Sequence, residues 1–223
     1  MFRRDFLLGQ IEQFVAVLMK LAGLTRAGQW DEASAIAKAQ FQALAGDDVS
    51  KLLQMSDTDL IARLVEADAG YEMRQKIFMA AALFKENGDI FKGQGKLDDG
   101  RACYLTGLRL LLETVANDPT TLCPGFAPSI EVFLIALNDS PLDFKTNAML
   151  MRHYERVRDF AKAEDALFNM LDAEPANIDL LDFGIGFYQR LLRLDDETLE
   201  LGNLPRAEVN AGLAELKQRQ LKS

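Results

Sequence analysis

The residues of this chain that could take part in chemistry are few and scattered. Its single histidine, His153, stands between Arg152 and Tyr154 in a stretch with helical spacing. A histidine that acts as a general base needs a nucleophile or an orienting carboxylate beside it. The sequence sets neither near His153, so we expect a surface histidine and no catalytic residue.

The two cysteines, Cys103 and Cys123, are too far apart in the sequence to form a CxxC pair. Together with one histidine, they indicate neither a zinc site nor a disulfide framework. We expect reduced thiols, as in a cytoplasmic protein, and no metal. A redox role for Cys123, which precedes Pro124 in a loop, is the alternative.

Two glycine-containing segments invite a nucleotide-binding interpretation. Lys92-Gly-Gln-Gly-Lys96 has Ile90 where a phosphate-binding loop needs glycine and Leu97 where it needs a hydroxyl, and no strand precedes it. Gly184-Ile-Gly186 lacks the third glycine of a dinucleotide fingerprint and a preceding strand. We expect a helix-to-helix turn at residues 92–96 and no cofactor.

Acidic residues dominate the charged composition. The chain has 34 Asp and Glu against 25 Lys and Arg, a formal net charge of -9, and phosphate binding needs a basic surface, so nucleic acid is excluded as the default partner. The acidic pairs Asp47-Asp48, Asp98-Asp99 and Asp195-Asp196 stand near predicted helix starts. Capping of helices explains them better than the paired carboxylates of a glycosidase.

The elements that would position these residues are helices. Residues 144–177 show the apolar spacing of two helices. The first helix has Met151 and Tyr154 on one face, and the second has Phe160 and Ala163 on one face. The break between them is short enough to force an antiparallel hairpin. Pro175 cannot continue the second helix and ends it.

This hairpin resembles the tetratricopeptide repeat. It has the apolar residue of that pattern at Leu150, its aromatic residues at Tyr154 and Phe160, its small contact residue at Ala163 and its closing proline at Pro175.

Two further segments resemble the same repeat. One has an aromatic residue at Trp30 and a small residue at Ala33, and the other has Gly88 and Gly100 at close-contact positions, with Tyr104 on the buried face. The contact positions 33, 100 and 163 stand roughly two periods of about 34 residues apart. Other helices must therefore lie between the hairpins, and we expect the one at 124–137 to be buried on two sides.

The sequence thus predicts an all-α fold, in which antiparallel helix hairpins stack as a tetratricopeptide-like superhelix with a C-terminal capping helix. We expect one domain over residues 1–223. It comprises an N-terminal hairpin at 1–45, a loop at 46–59, central hairpins at 60–176, and C-terminal helices with the cap at 177–223. The run Leu204-Pro-Arg-Ala-Glu-Val209 also resembles a family of uncharacterised bacterial helical proteins.

The amino terminus leaves one question of location open. Arg3-Arg4-Asp5-Phe6-Leu7 is similar to a twin-arginine export signal, but the polar residues Gln10, Glu12 and Lys20 interrupt the apolar stretch and no A-x-A site follows. We expect an amphipathic helix and a cytoplasmic location, with export as the alternative. No run reaches the roughly 18 apolar residues of a membrane span.

The tetratricopeptide resemblance implies a non-catalytic scaffold that binds a protein or peptide along the first helix of each hairpin. Basic residues there are expected to hold an acidic segment or a chain terminus through charge-assisted hydrogen bonds. An ordinary solvated face is the alternative. The candidate partner-binding residues are Lys85, Asp89, Lys92, Arg152, Glu155 and Arg156.

Two other functions stay open. One is a self-associating structural protein, a homo-oligomer that pairs through its first helix or through residues 124–137. The other is a small-molecule site or enzyme in a pocket near Tyr154, His153 and Cys123.

Overall fold

The computed structural model describes residues 2–65, 71–117, 123–138 and 140–221, without the side chains of residues 2–7, 71, 72 and 117. Within these ranges all regular structure is helical and no residue is in a strand, so the predicted all-α class is confirmed. The helices are α1 (Phe2–Arg26), α2 (Trp30–Ala45), α3 (Val49–Leu52), α4 (Asp57–Val65), α5 (Tyr71–Gly93), α6 (Leu97–Asn117), α7 (Ile130–Leu137), α8 (Phe144–Val157), α9 (Phe160–Ala173), α10 (Ile178–Leu191), α11 (Asp196–Leu201) and α12 (Arg206–Gln220).

By its internal contacts the chain divides into two compact units, Met1–Pro141 with α1 to α7 and Leu142–Ser223 with α8 to α12. The expectation of one domain over residues 1–223 stays a prediction. In the described part of the chain, no helix has the length and apolar character needed to cross a membrane. The side chains of the Arg3-Arg4 pair lie outside the described residues.

The first hairpin, α1 and α2, forms where the sequence predicts it. Gly28 lies in the turn with a φ of 70°, a backbone conformation that favours glycine. Ala33 is fully buried, and the ring of Trp30 packs against Gly93 at the end of α5, where any Cβ would overlap the ring. Helix α5 contacts both α1 and α2.

The second hairpin, α5 and α6, brings two backbones close together. A Cβ on Gly100 would lie 3.1 Å from the carbonyl oxygen of Gly88 and 3.3 Å from the amide nitrogen of Lys92. A Cβ on Gly88 would overlap the ring of Tyr104. The predicted close contact at Gly88 and Gly100 is therefore confirmed. The sequence also predicts that this second helix ends at Asp118-Pro119, and these two residues lie outside the described ones.

The segment at residues 46–59, predicted as a loop, contains the helical turn α3, and α4 begins within it at Asp57. Asp48 caps α3 by accepting a hydrogen bond from the amide of Lys51 at 3.2 Å. Ser56 caps α4 by accepting from the amide of Asp59 at 3.1 Å, and its hydroxyl donates to the Asp59 carboxylate at 2.7 Å. Both turns use short polar side chains to satisfy backbone donors at helix starts.

Helix α7 packs on α6 by one side only. Ile130, Phe133 and Leu137 are buried, but Ile135 is 77% exposed and Val132 is 38% exposed. The expectation that this segment would be buried on two sides is therefore wrong. An apolar composition does not by itself supply a second neighbour, and in the described chain α6 is the main contact of α7.

The second unit starts with the hairpin of α8 and α9. The Asp143 carboxylate caps α8 by accepting a hydrogen bond from the amide of Thr146 at 2.8 Å. Arg158 ends α8 in the left-handed region with a φ of 63°. Ala163 is fully buried between the helices, as predicted.

The helices after this hairpin complete the second unit. Asn177 and Asp195 cap α10 and α11 by accepting from amides in their first turns at 3.0 and 2.7 Å. Helix α12 packs on α10 at two glycines, because a Cβ on Gly184 would meet Leu216 and one on Gly212 would meet Tyr188. Asp48 and Asp195 thus cap helices, as the sequence indicates, whereas Asp98 and Asp99 lie within the first turn of α6.

Candidate functional site

Helix α5 places the predicted residues Lys85, Asp89 and Lys92 along one side, four and three residues apart. The ammonium nitrogen of Lys85 lies 2.8 Å from Oδ2 of Asp89 and 3.0 Å from Oε1 of Glu86. Lys92 is exposed one turn further on. The charge of Lys85 is therefore already paired with two carboxylates of its own helix.

Tyr104 on α6 fixes Asp89 from the other side. Its hydroxyl donates a hydrogen bond to Oδ1 of Asp89 at 2.7 Å. Burial raises the pKa of Tyr104, and the hydrogen bond to the Asp89 carboxylate raises it further. Tyr104 thus stays protonated and continues to donate. The three side chains Lys85, Asp89 and Tyr104 form a fixed polar chain across the hairpin.

Glu86, which the sequence analysis did not select, is the most buried charged residue of this cluster. It is 9% exposed, and burial raises the pKa of its carboxyl while the charge of Lys85 opposes that rise. Its Oε2 is buried and has no hydrogen-bond partner among the described residues. The sequence carried one signal for it, because Glu86 stands four residues from both Ala82 and Ile90, which are buried on the same face.

Burial of Lys85 by itself would lower the pKa of its ammonium group, since burial disfavours charge. The hydrogen bond to Asp89 and the charges of Glu86 and Asp89 outweigh burial and raise the pKa of Lys85. Lys85 is therefore charged and held in place at neutral pH. It is poorly suited to leave its partners for an acidic ligand.

Helix α8 presents the other three predicted residues in a different arrangement. Glu155 is occupied by Arg190 of α10, whose Nε lies 2.8 Å from Oε1 and whose Nη2 lies 2.9 Å from Oε2. This hydrogen bond raises the pKa of Arg190. Arg152 is exposed and Arg156 is partly exposed, one turn apart, and neither makes an ion pair or side-chain hydrogen bond among the described residues. We call Arg152 and Arg156 the α8 arginine pair.

His153, expected to be a surface histidine, is partly exposed on α8. Its ring lies edge to face against that of Tyr154, with 5.4 Å between the centroids. The ammonium group of Lys162 lies 5.1 Å above the Tyr154 ring. The first contact lies within α8, and the second joins α9 to α8.

The two thiols are free and neither is activated. Burial raises the pKa of Cys103 to about 12, against a hydrogen bond donated by Asn87 at 3.5 Å. Cys123 is exposed, and partial burial of its thiol raises its pKa as well. A reactive thiol needs a lowered pKa, so neither environment favours the redox alternative. Among the described residues, no group of three or more His, Cys, Asp or Glu side chains could hold a metal ion.

The segment at residues 92–96 is a turn between two helices, as predicted. Helix α5 ends at Gly93 and α6 begins at Leu97, and Gly95 between them has a φ of 76°. Lys96 lies over the ring of Phe91, 5.5 Å from its centroid. No strand precedes this turn in the described chain, so the arrangement differs from a phosphate-binding loop.

Residues 1–221 match the model of one protein family, described as a family of unknown function (DUF6483). Neither the curated proteins nor the solved structures contain a match to the chain. The match and the helical structure agree with the resemblance to a helical family without an assigned function. The tetratricopeptide resemblance is not confirmed by these comparisons.

Proposed function

We propose that this chain, which belongs to the DUF6483 family, is a non-catalytic scaffold of tetratricopeptide type that binds an acidic segment of another protein. Two packing features support a repeat-like stack. In the first unit, α5 contacts both helices of the preceding hairpin. In the second unit, α10 reaches α8 through Arg190 and Glu155 and reaches α9 through Tyr188 and Glu164. Each unit thus places the first helix of one hairpin against both helices of the hairpin before it.

The observation that carries the proposal is the charge pattern of α8. Its one acidic residue among the candidates, Glu155, has both carboxylate oxygens engaged by Arg190. The α8 arginine pair keeps its hydrogen-bond donors for a ligand. Guanidinium groups one turn apart suit carboxylates of an extended or helical peptide, because each can form two parallel hydrogen bonds to a carboxylate.

The candidate residues on α5 have a different role in this proposal. Lys85 is already paired with Glu86 and Asp89, so an acidic ligand would have to displace a carboxylate from it. We therefore place the binding site for the acidic segment on α8 and not on α5.

A cytoplasmic location is part of the same proposal. Cys103 and Cys123 are both free, which suits a reducing compartment. A small-molecule or enzymatic site is the weaker alternative, since the pKa of Cys123 is raised and a reactive thiol needs a lowered one.

The test uses the full chain and a library of short displayed peptides. We expect the selected peptides to be enriched in Asp and Glu and to bind with an affinity that falls as salt rises. The double charge reversal Arg152→Glu and Arg156→Glu should weaken their binding by about tenfold or more.

The matched control reverses two charges elsewhere on the second unit, Arg193→Glu and Lys217→Glu, both at exposed positions. It changes the net charge by the same amount and should leave the affinity within about twofold of the parent. Selected peptides without acidic enrichment, or equal losses in the two double variants, would remove the α8 arginine pair from the proposal.

A further inference from the structure

Helix α1 has an outer face that nothing in the described chain covers. Phe14, Leu21 and Leu24 are buried on the inner side. On the opposite side, Met19 is 71% exposed and Leu8 is 47% exposed. The outer face as a whole consists of Leu8, Gly9, Glu12, Ala16, Met19, Lys20 and Gly23. We call these residues the α1 outer face.

Packing against the described residues does not require the two glycines of this face. A Cβ added at Gly9 or Gly23 would meet no atom within 4 Å. By contrast, a Cβ at Gly88, Gly184 or Gly212 would overlap a neighbouring side chain. Glycine inside a helix destabilises it relative to alanine, so Gly9 and Gly23 lower the stability of α1 without an internal reason.

The α1 outer face is also symmetric about Ala16. Gly9 and Gly23 each stand seven residues from Ala16, and Glu12 and Lys20 each stand four residues from it. When two copies of a helix pair antiparallel around a two-fold axis, residues at equal distances before and after the axis come to the same height. An axis at Ala16 therefore brings each acidic residue level with a basic one and each glycine level with the other.

We propose that the α1 outer face is a self-association surface that binds a second copy of this chain, with the two α1 helices antiparallel and Ala16 at the two-fold axis. Gly9 lies at Gly23 of the partner subunit, which lets the backbones approach. Glu12 pairs with Lys20 of the partner subunit, and the same pair forms a second time by symmetry. Met19 loses its exposure to water in the contact.

In the single chain, Glu12 and Lys20 are available to form ion pairs with a second copy. Glu12 is exposed and makes no ion pair or side-chain hydrogen bond among the described residues. Lys20 lies 3.2 Å from Glu32, with both side chains more than half exposed. An ion pair at such a position is weak and easily replaced. Neither charge has a strong internal partner that the second copy would have to displace.

The proposal is independent of the peptide-binding function, because it uses a helix of the first unit and no residue of the α8 arginine pair. Its first test is sedimentation velocity of the full chain between about 1 and 100 μM. We expect a dimer that dissociates on dilution. Glu12→Lys puts a positive charge opposite Lys20 of the partner subunit. This repulsion should raise the dissociation constant of the dimer by about tenfold or more.

The charge swap distinguishes a specific pair from a general effect of charge. Glu12→Lys combined with Lys20→Glu restores opposite charges and should return the dissociation constant to within about threefold of the parent. Lys38→Glu, at an exposed position on α2, is the control and should leave it unchanged. Circular dichroism of each variant checks that the helices are retained.

A second test depends on the position of the axis. A residue on a two-fold axis faces its own copy, so Ala16→Cys in a Cys123→Ser background should form a symmetric disulfide under mild oxidation. Ala39→Cys, exposed on α2, should form covalent dimers much more slowly. A chain that stays monomeric at every concentration overturns the proposal. So does a dimer that Glu12→Lys leaves intact, or equal cross-linking of the two cysteine variants.

Discussion

At the scale of single residues, side-chain size at a few positions sets how closely the helices approach. Ala33 and Ala163 are fully buried, and a Cβ on Gly100 would lie 3.1 Å from a backbone oxygen. These three positions were predicted from the resemblance to the tetratricopeptide repeat, and at Ala33 and Ala163 the small residue follows an aromatic one by three residues. The spacing of residues along one helix is a local property, so it can be read without knowledge of the tertiary fold.

Enlarging one of these residues should destabilise the hairpin that contains it. We expect Ala163→Leu to lower the free energy of unfolding by about 1 to 3 kcal/mol, because the added carbons have no space between α8 and α9. Ala173→Leu, at an exposed position near the end of α9, is the control and should change it by less than about 0.5 kcal/mol. Denaturant titration of both variants measures the difference. Equal unfolding midpoints for the two variants would argue against a close contact of α8 and α9 at Ala163.

Glu86 should make the stability of the protein fall as pH rises. Its folded pKa is raised by burial above the ordinary value of 4.5, so the folded state holds this proton more tightly than the unfolded state. The stability that it contributes is present below the ordinary value and is lost as pH rises through the folded pKa.

Glu86→Gln should therefore flatten the pH dependence of the melting temperature above about pH 4.5, relative to the parent. Glu200→Gln, at an exposed position on α11, should leave the profile as it is. Thermal melts between about pH 4.5 and 8 measure both profiles. A parallel shift of the Glu86→Gln curve, with the slope retained, would assign the pH dependence to other groups.

At the scale of helices, the boundaries follow from caps that the sequence displays. Asp48, Ser56 and Asp195 each accept a hydrogen bond in the first turn of the helix they precede. Pairings between distant residues were not predictable. Glu155 and Arg190 are 35 positions apart, and their contact depends on how α10 packs on α8. The exposed side of α7 was missed for the same reason, because composition does not show which neighbours are present.

The cap of α8 offers a direct test at this scale. Asp143 accepts hydrogen bonds from the amide and the hydroxyl of Thr146 at 2.8 and 3.0 Å. We expect Asp143→Ala to lower the free energy of unfolding by about 1 kcal/mol, within a range of roughly 0.5 to 2. Asp179→Ala, in the first turn of α10 without a cap role, should cost less. Chemical denaturation compares them, and an equal loss would show that the charge and not the cap matters.

At the scale of the whole molecule, the two proposed binding surfaces belong to different units. In the first, Lys85 is enclosed by Glu86 and Asp89, and the α1 outer face is open. In the second, the α8 arginine pair keeps its donors because Arg190 takes Glu155. Spacing places the candidate residues on α5 and α8, but the ion pairs of Lys85 within α5 depend on side-chain positions that spacing alone does not determine.

The central claim is that α8 binds an acidic segment, and amide hydrogen exchange of the full chain with a selected acidic peptide measures this most directly. The account predicts slower exchange in α8 when the peptide is present, and no such slowing when Arg152 and Arg156 are both replaced by Glu. Unchanged exchange in α8 of the parent chain, or equal slowing in the charge-reversed variant, would contradict it.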